Sequence, residues 1–277
     1  RNDIRRRKGI IKNMKKNQPR HSSFSEKKLR RRNHLIIFLF CAVTACIVIW
    51  FLSECRIKTV AIENASAVKE ETILEAAGIK TGRHLYAIDK DKIASDVKSV
   101  SPYIKSVIVK RQLPSKLRII VEEYAPFYYI EYSDVFWILS DSLLVLEKLP
   151  DEASAAQLGS IHLILPEIKT CEVGKPLVFA DEADQNTVSE ILSVFQSASF
   201  PEPLTWIDIS EKFDITASMQ NKYKIFYGTA ERLEEKIRFS LRTIQYLTEN
   251  MYGVTGNIYA SKSAEASFEI TGVSKTE

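Results

Sequence analysis

Ile104 to Glu123 reads IKSVIVKRQLPSKLRIIVEE, two apolar-alternating runs split by Leu113-Pro114. Val107 with Val109, and Leu117 with Ile119 and Val121, recur at every second residue, the spacing of half-buried strands. On the N-terminal side Pro102 suits a turn, and before it Ile93 and Val97 share one face of a helix. Asp89 is the natural cap of that helix, with Ile88 and Ile93 as a hydrophobic staple around it. Further back, Val68 to Ala77 predicts another helix, capped by Ser66, with Ile73, Leu74 and Ala77 inward and Gly78 as its stop. Arg56 to Asn64, RIKTVAIEN, alternates as a strand. The order over residues 56–126 is therefore strand, helix, helix, strand, strand, an α+β unit. Its helices can cover one side of a three-stranded sheet and leave the other to solvent or a partner.

Immediately before this unit, Leu35 to Ser53 is a run of 19 residues without a charge. As a helix it spans roughly 28 Å, close to the apolar thickness of a bilayer. Residues 1–34 hold 14 Lys or Arg against Asp3 and Glu26, so they carry +12, while the whole chain is +4 and the rest about −8. Arg30, Arg31 and Arg32 abut the apolar run and predict that this side stays in the cytoplasm. The tail has no apolar period and reads as largely disordered, with anionic inner-leaflet lipids as its nearest partner. Nucleic acid is not expected, because no folded module accompanies the basic residues. Val43-Thr44-Ala45-Cys46 has the look of a lipoprotein processing site, but the apolar run continues through Leu52, which favours an uncleaved anchor. Ala42, Thr44 and Ala45 serve anchoring or contact with a partner helix. The four cysteines form no disulfide framework; a Cys55–Cys171 bridge is the one pairing left open.

Beyond residue 126 the pattern turns to strands. Phe127 to Glu147, FYYIEYSDVFWILSDSLLVLE, is rich in strand formers, with turns at Asp134 and Asp141-Ser142. A helix carrying Val188, Ile191, Leu192 and Phe195 follows, capped by Asp184 or a neighbour and ended by Pro201 and Pro203. Strands are expected at Leu204 to Ile209, Phe213 to Ala217 and Tyr223 to Tyr227. Thr229 then caps the most regular helix, with Leu233, Ile237, Leu241, Ile244 and Leu247 on one stripe. Short strands at Asn257 to Ala260 and Ala266 to Ile270 close the chain. The expected layout is a basic tail at 1–34, a transmembrane helix at 35–53, a first outer domain at 56–126, an outer β-domain with flanking helices at 127–271 and a polar tail at 272–277.

Together RIKTVAIEN, ILEAAGI, TGRHLYAID and SPYIKSVIVKRQLPSKLRIIVEEYAPF resemble the POTRA domain of the bacterial division family called DivIB or FtsQ. The most specific series is Pro102-Tyr103-Ile104, Val107, Val109, Arg111, Pro114, Leu117 and Val121 to Pro126. Glu123 or Tyr124 stands where the family usually has a basic residue. Gly228, Lys236 and Trp206-Ile207-Asp208-Ile209 resemble the family's C-terminal β-domain, although Tyr259 stands near Ile258 where an acidic residue is usual. The resemblance implies a single-pass protein of the septal division complex, binding FtsB/DivIC-like and FtsL-like partners through its outer domains. It also implies regulation of the septal peptidoglycan synthesis machinery without catalysis.

No residues assemble a convincing active site. His21, His34, His84 and His162 have no ligand spacing, and Glu122 and Glu123 should point to opposite faces of their strand. Asp89 and Asp91 are explained as helix-start residues, Asp181, Glu182 and Asp184 as a hydrated acidic loop, and Ser101 and Ser140 have no base placed by any motif. No catalytic, metal or cofactor residue is therefore assigned. The aromatic stretch Phe127–Trp137 is mostly core, or lines a groove if one side is open. Phe268, Glu269 and Ile270 are the candidate partner-binding residues, because a late strand at a sheet edge offers free backbone groups to another chain. The alternatives are a membrane-anchored cell-wall enzyme or protease, marked by a pocket of convergent carboxylates, and a POTRA-type polypeptide chaperone, marked by repeated copies.

Overall fold

The computed structural model describes residues 23–251, 253–262 and 265–273, with the backbone alone at 23–32, 52 and 273. The expected basic tail as far as residue 22, with His21, and residues 274–277 of the polar tail lie outside the described residues. The first helix, α1, runs Ser23–Glu54. It begins well before the apolar run, so Arg30, Arg31 and Arg32 lie within its bounds. Among the described residues it is the one helix long and apolar enough to cross a membrane, over Asn33–Phe51, and none of that span is buried.

The α+β architecture is as expected: an apolar N-terminal helix, a small strand-and-helix unit, and a larger mixed sheet flanked by helices. The small unit contains β1 (Thr59–Glu63), α2 (Glu70–Ala77), a 3-10 turn at Leu85–Ala87, α3 (Lys90–Lys98), β2 (Ile104–Gln112) and β3 (Lys116–Glu123). Its sheet has the order β1-β3-β2, parallel between β1 and β3 and antiparallel between β2 and β3. Ile73, Ala77, Ile93, Val97, Val109, Leu117, Ile119 and Val121 close one core between the helices and the sheet. Asp89 caps α3 by accepting from the N–H groups of Asp91 and Lys92, and Gly78 ends α2 with φ 57°.

Two details differ from the sequence reading. Ser66 does not cap α2, whose N-cap is Lys69 without a side-chain bond. Ser66 instead donates from its N–H and Oγ to Glu123, which also accepts from the N–H groups of Ala67 and Val68. This explains a glutamate at the end of β3: it ties down the loop between β1 and α2. The helix consequently starts two residues later, and Leu74 is left on the exposed side.

The larger unit contains β4 (Tyr128–Glu131), β5 (Phe136–Leu139), β6 (Val145–Leu149), α4 (Glu152–Leu158), β7 (Ile161–Ile164), β8 (Ile168–Thr170), β9 (Val178–Phe179), α5 (Glu182–Ser197), β10 (Leu204–Asp208), β11 (Ile215–Met219), β12 (Tyr223–Gly228), α6 (Leu233–Asn250), β13 (Val254–Lys262) and β14 (Glu265–Val273). Nine of these strands form one sheet, ordered β14-β13-β12-β11-β10-β7-β4-β5-β6. β4, β7 and β10 lie side by side in parallel. The apolar stripes of α5 and α6 pack with Tyr128, Leu163, Ile207, Ala217, Ile225 and Ile258 in the main core. Tyr129, Ile138 and Leu146 point the other way and pack with Ala155 of α4. Adjacent strand residues thus serve opposite layers, as the two-residue period requires.

The expected helix caps shift by a few residues. Asp181, and not Asp184, caps α5, while Asp184 is buried and holds Lys212 at 2.7 Å. Thr229 does not cap α6; its carbonyl and Oγ1 accept from the Lys236 ammonium at 2.8 and 3.2 Å. Burial holds the Lys236 pKa below the usual lysine range. Phe213, expected to open a strand, is 79% exposed in the loop before β11.

Candidate functional site

Among the described residues β14 forms one outer edge of the nine-stranded sheet and pairs only with β13. Phe268 lies opposite Ile258, Glu269 opposite Asn257 and Ile270 opposite Gly256. The three expected residues therefore sit together on an edge, with different jobs. Phe268 is half-buried against the main core and meets the Tyr223 ring edge-on at 6.2 Å. Its ring lies over Gly256, where a Cβ would come within 2.8 Å of the ring and 2.1 Å of the Glu269 carbonyl oxygen. Only glycine allows β14 to lie this close to β13.

Glu269 faces the opposite layer, where Tyr259 donates its hydroxyl to Glu269 Oε2 at 2.9 Å. That accepted bond, with a smaller contribution from burial, raises the Tyr259 pKa. The Tyr259 ring stacks on Phe226 at 5.0 Å, and Lys224 lies over both Phe226 and Trp206. Ile270 is 51% exposed and is the apolar side chain that this edge presents to solvent.

The opposite edge, β6, is different. Its first residue exchanges backbone bonds with the loop that follows Cys171: Val145 donates to the Lys175 carbonyl at 3.0 Å, and Gly174 donates to the Val145 carbonyl at 2.8 Å. Tyr103 of the small unit donates its hydroxyl to Glu147 at 2.9 Å. Tyr103 and Tyr124 also pack with the apolar cluster of β5, β6 and α4. Burial first, and the Glu147 carboxylate second, push the Tyr103 pKa up, so it stays a donor at neutral pH.

The remaining side chains considered in the sequence serve structure. His162 is half-buried, stacks on Tyr129 at 4.6 Å, and burial lowers its pKa. His84 accepts from the Tyr86 N–H. Glu122 pairs with Lys105 and Ser106, while Glu123 holds the loop at Ser66, on the other side of the strand. Asp181 and Asp184 find their cation in Lys212. Ser140 Oγ accepts from the N–H groups of Ser142 and Leu144 and closes a turn. All four cysteines are free, with Cys55 in the small core and Cys171 in the large one, so the Cys55–Cys171 bridge is not made. Among the described residues no three His, Cys, Asp or Glu side chains are placed to hold a metal.

The sequence missed the Tyr259–Glu269 bond and the backbone pairing of β6 at Val145, since both depend on segments brought together by topology. The only local signal was Gly256, a glycine inside a strand pattern.

Residues 55–124 match the family model of the FtsQ-type POTRA domain. The chain is 25% identical over 224 residues to the cell division protein DivIB of Clostridium botulinum strain Hall, covering 79% of this chain and 84% of that one. It is 29% identical over 202 residues to DivIB of Clostridium acetobutylicum, covering 73% and 77%. The cell division protein FtsQ of Corynebacterium glutamicum is 24% identical over 195 residues, covering 69% and 79%. The solved extracytoplasmic domain of DivIB from Geobacillus stearothermophilus aligns with 47% of this chain and 98% of its own length, at 13% identity and a TM-score of 0.27, too low to argue from. Residues 55–124 thus form an FtsQ-type POTRA domain, and over most of its length the chain is similar to the DivIB and FtsQ cell-division proteins.

Proposed function

We propose that this protein is a non-enzymatic, single-pass scaffold of the septal division complex that recruits FtsB/DivIC-like and FtsL-like partners by adding a strand to β14. Its basic N-terminus stays in the cytoplasm against anionic lipid, and its folded units, bounded near 56–126 and 127–271, work outside the membrane. Through these partners it regulates septal peptidoglycan synthesis.

The observation that carries this reading is the free edge of β14, with Ile270 exposed beside it. An extended partner segment gains backbone hydrogen bonds along such an edge, and side-chain contacts select which segment binds. Phe268 and the Tyr259–Glu269 pair hold the strand in place, so little ordering remains to oppose binding. The test is co-purification of the detergent-solubilised full chain with each partner. Ile270→Lys should weaken capture at least tenfold without changing the unfolding midpoint. Undiminished capture by a variant whose β14 is displaced would overturn the reading.

A further inference from the structure

α1 passes into the small unit without a linker. Cys55, the residue after α1, is fully buried in the small core, and its carbonyl accepts from the Leu85 N–H at 2.8 Å. Ile57 donates to the Arg83 carbonyl and accepts from the Gly82 N–H, each at 2.9 Å, and the Arg56 guanidinium donates to the Gly82 carbonyl at 3.1 Å. Lys58 donates to the Ser115 carbonyl at 2.8 Å, which brings in the turn between β2 and β3. Thr59 lies opposite Lys116 in the parallel pair β1–β3, so both strands start at this end and run away from it. The apolar span ends at Phe51, four residues before Cys55, roughly 6 Å at the helical rise. The headgroup layer outside the hydrocarbon is about 5–7 Å thick on each side. The loops at 80–86 and 111–116 therefore lie at headgroup level.

The charge of the small unit divides along the same direction. Segments 54–58, 80–86 and 111–116, at the α1 end, hold six Lys or Arg against Glu54, so they carry +5. Segments 63–71, 98–105 and 121–124, at the other end, hold five Glu against Lys69, Lys98 and Lys105, so they carry −2. Lys80, Arg83 and Lys116 are exposed at the α1 end, beside two exposed apolar groups, Leu113 at 49% and Tyr86 at 52%.

We infer that the small unit is seated on the outer leaflet, with Lys80, Arg83 and Lys116 on the phosphates of anionic phospholipids and Leu113 and Tyr86 at the interface. Ammonium and guanidinium heads donate charge-assisted hydrogen bonds to phosphate oxygens. Each such residue beside an anionic surface favours the seated state about fivefold. Tyr86 and Leu113 suit the same depth, since amphipathic rings and apolar side chains gather at the membrane interface. α1 already holds these loops at the surface, so the contacts form within one molecule and need little further ordering. Seating fixes the axis of the small unit, and β3 then carries the chain away from the bilayer to the larger one. The inference rests on α1 spanning the membrane with the folded units outside.

Tryptophan quenching tests the seating in the full chain, reconstituted in vesicles of phosphatidylglycerol and of phosphatidylcholine brominated high on its acyl chains. In a Trp50→Phe background, Leu113→Trp should be quenched several-fold more than Ala67→Trp, whose site is an exposed loop at the far end. Replacing phosphatidylglycerol with phosphatidylcholine, or raising the salt to about 1 M, where the screening length is about 3 Å, should at least halve the quenching at position 113. The combined change Lys80→Gln, Arg83→Gln and Lys116→Gln should do the same. Equal quenching at positions 113 and 67 would overturn the seating. Quenching at position 113 that persists undiminished without phosphatidylglycerol and at high salt would overturn the phosphate contacts. Trp50 of the unmodified chain reports on α1 itself. Quenching of Trp50 without quenching at position 113 removes the seating and keeps the span, whereas an unquenched Trp50 overturns the span and the seating with it.

Discussion

The two ends of the nine-stranded sheet have the same backbone chemistry and opposite fates. At β6 the loop after Cys171 supplies backbone partners, Gly174 adopts φ +83° to make the bend, and Tyr103 reaches over from the small unit to Glu147. At β14 nothing among the described residues pairs with the outer side, and the strand is nearly twice as long. Unprotected edges invite unwanted pairing, and proteins ordinarily cover or interrupt them. One edge here is paired by the chain itself at its first residue, Val145, with Tyr103 set against Glu147 beside it. The other is tied to β13 by Phe268 over Gly256 and by Glu269 on Tyr259, through a pairing with two irregularities, and its outer side is open among the described residues. The lesson is that edge status depends on what packs beside a strand, and not on the strand's own residues.

The largest effect should come from Gly256→Val. The added side chain meets the Glu269 carbonyl oxygen and the Phe268 ring, so β14 must separate from β13. A loss of about 1–3 kcal/mol of stability is expected in chemical unfolding, together with loss of partner capture. Ile270→Lys sharpens the contrast: binding should fall at least tenfold, about 1.4 kcal/mol, while stability stays within about 0.5 kcal/mol. At the β6 end Tyr103→Phe removes the bond to Glu147 and should cost about 1 kcal/mol of stability with partner affinity unchanged. If that variant weakened partner capture as much as Ile270→Lys did, the two ends would not be functionally distinct.

The smallest effect is one of pH in the small unit. Burial pushes the Glu123 carboxyl up, but Ser66 Oγ and the N–H groups of Ser66, Ala67 and Val68 outweigh it and lower its pKa. Its contribution is therefore fully present above the ordinary glutamate value of about 4.3 and is lost as pH falls through the lower folded value. Unfolding midpoints measured below about pH 4.3 should fall more steeply for wild type than for Glu123→Gln. Parallel slopes would remove Glu123 from the account.

Local patterns were legible where neighbouring residues decide them. Asp89, Gly78, the alternation of β2 and β3 and the stripe of α6 needed only short windows of sequence. The misread caps share one cause: Ser66 and Thr229 are suitable caps, but Glu123, 57 residues from Ser66, and the Lys236 ammonium claim them instead. β7 was missed because its four residues, IHLI, show no clear alternation and are stabilised by parallel neighbours far away in sequence. For the candidate site, the late strand and its residues were legible, whereas its edge position and the Tyr259–Glu269 bond required knowing the strand order.

Amide hydrogen exchange of the full chain in detergent, with and without an FtsB/DivIC-like partner, tests the docking edge most directly. Added protection should appear at the backbone amides of β14, with those of β6 unchanged. Protection that appeared at β6 and left β14 exchanging as in the free protein would contradict the account.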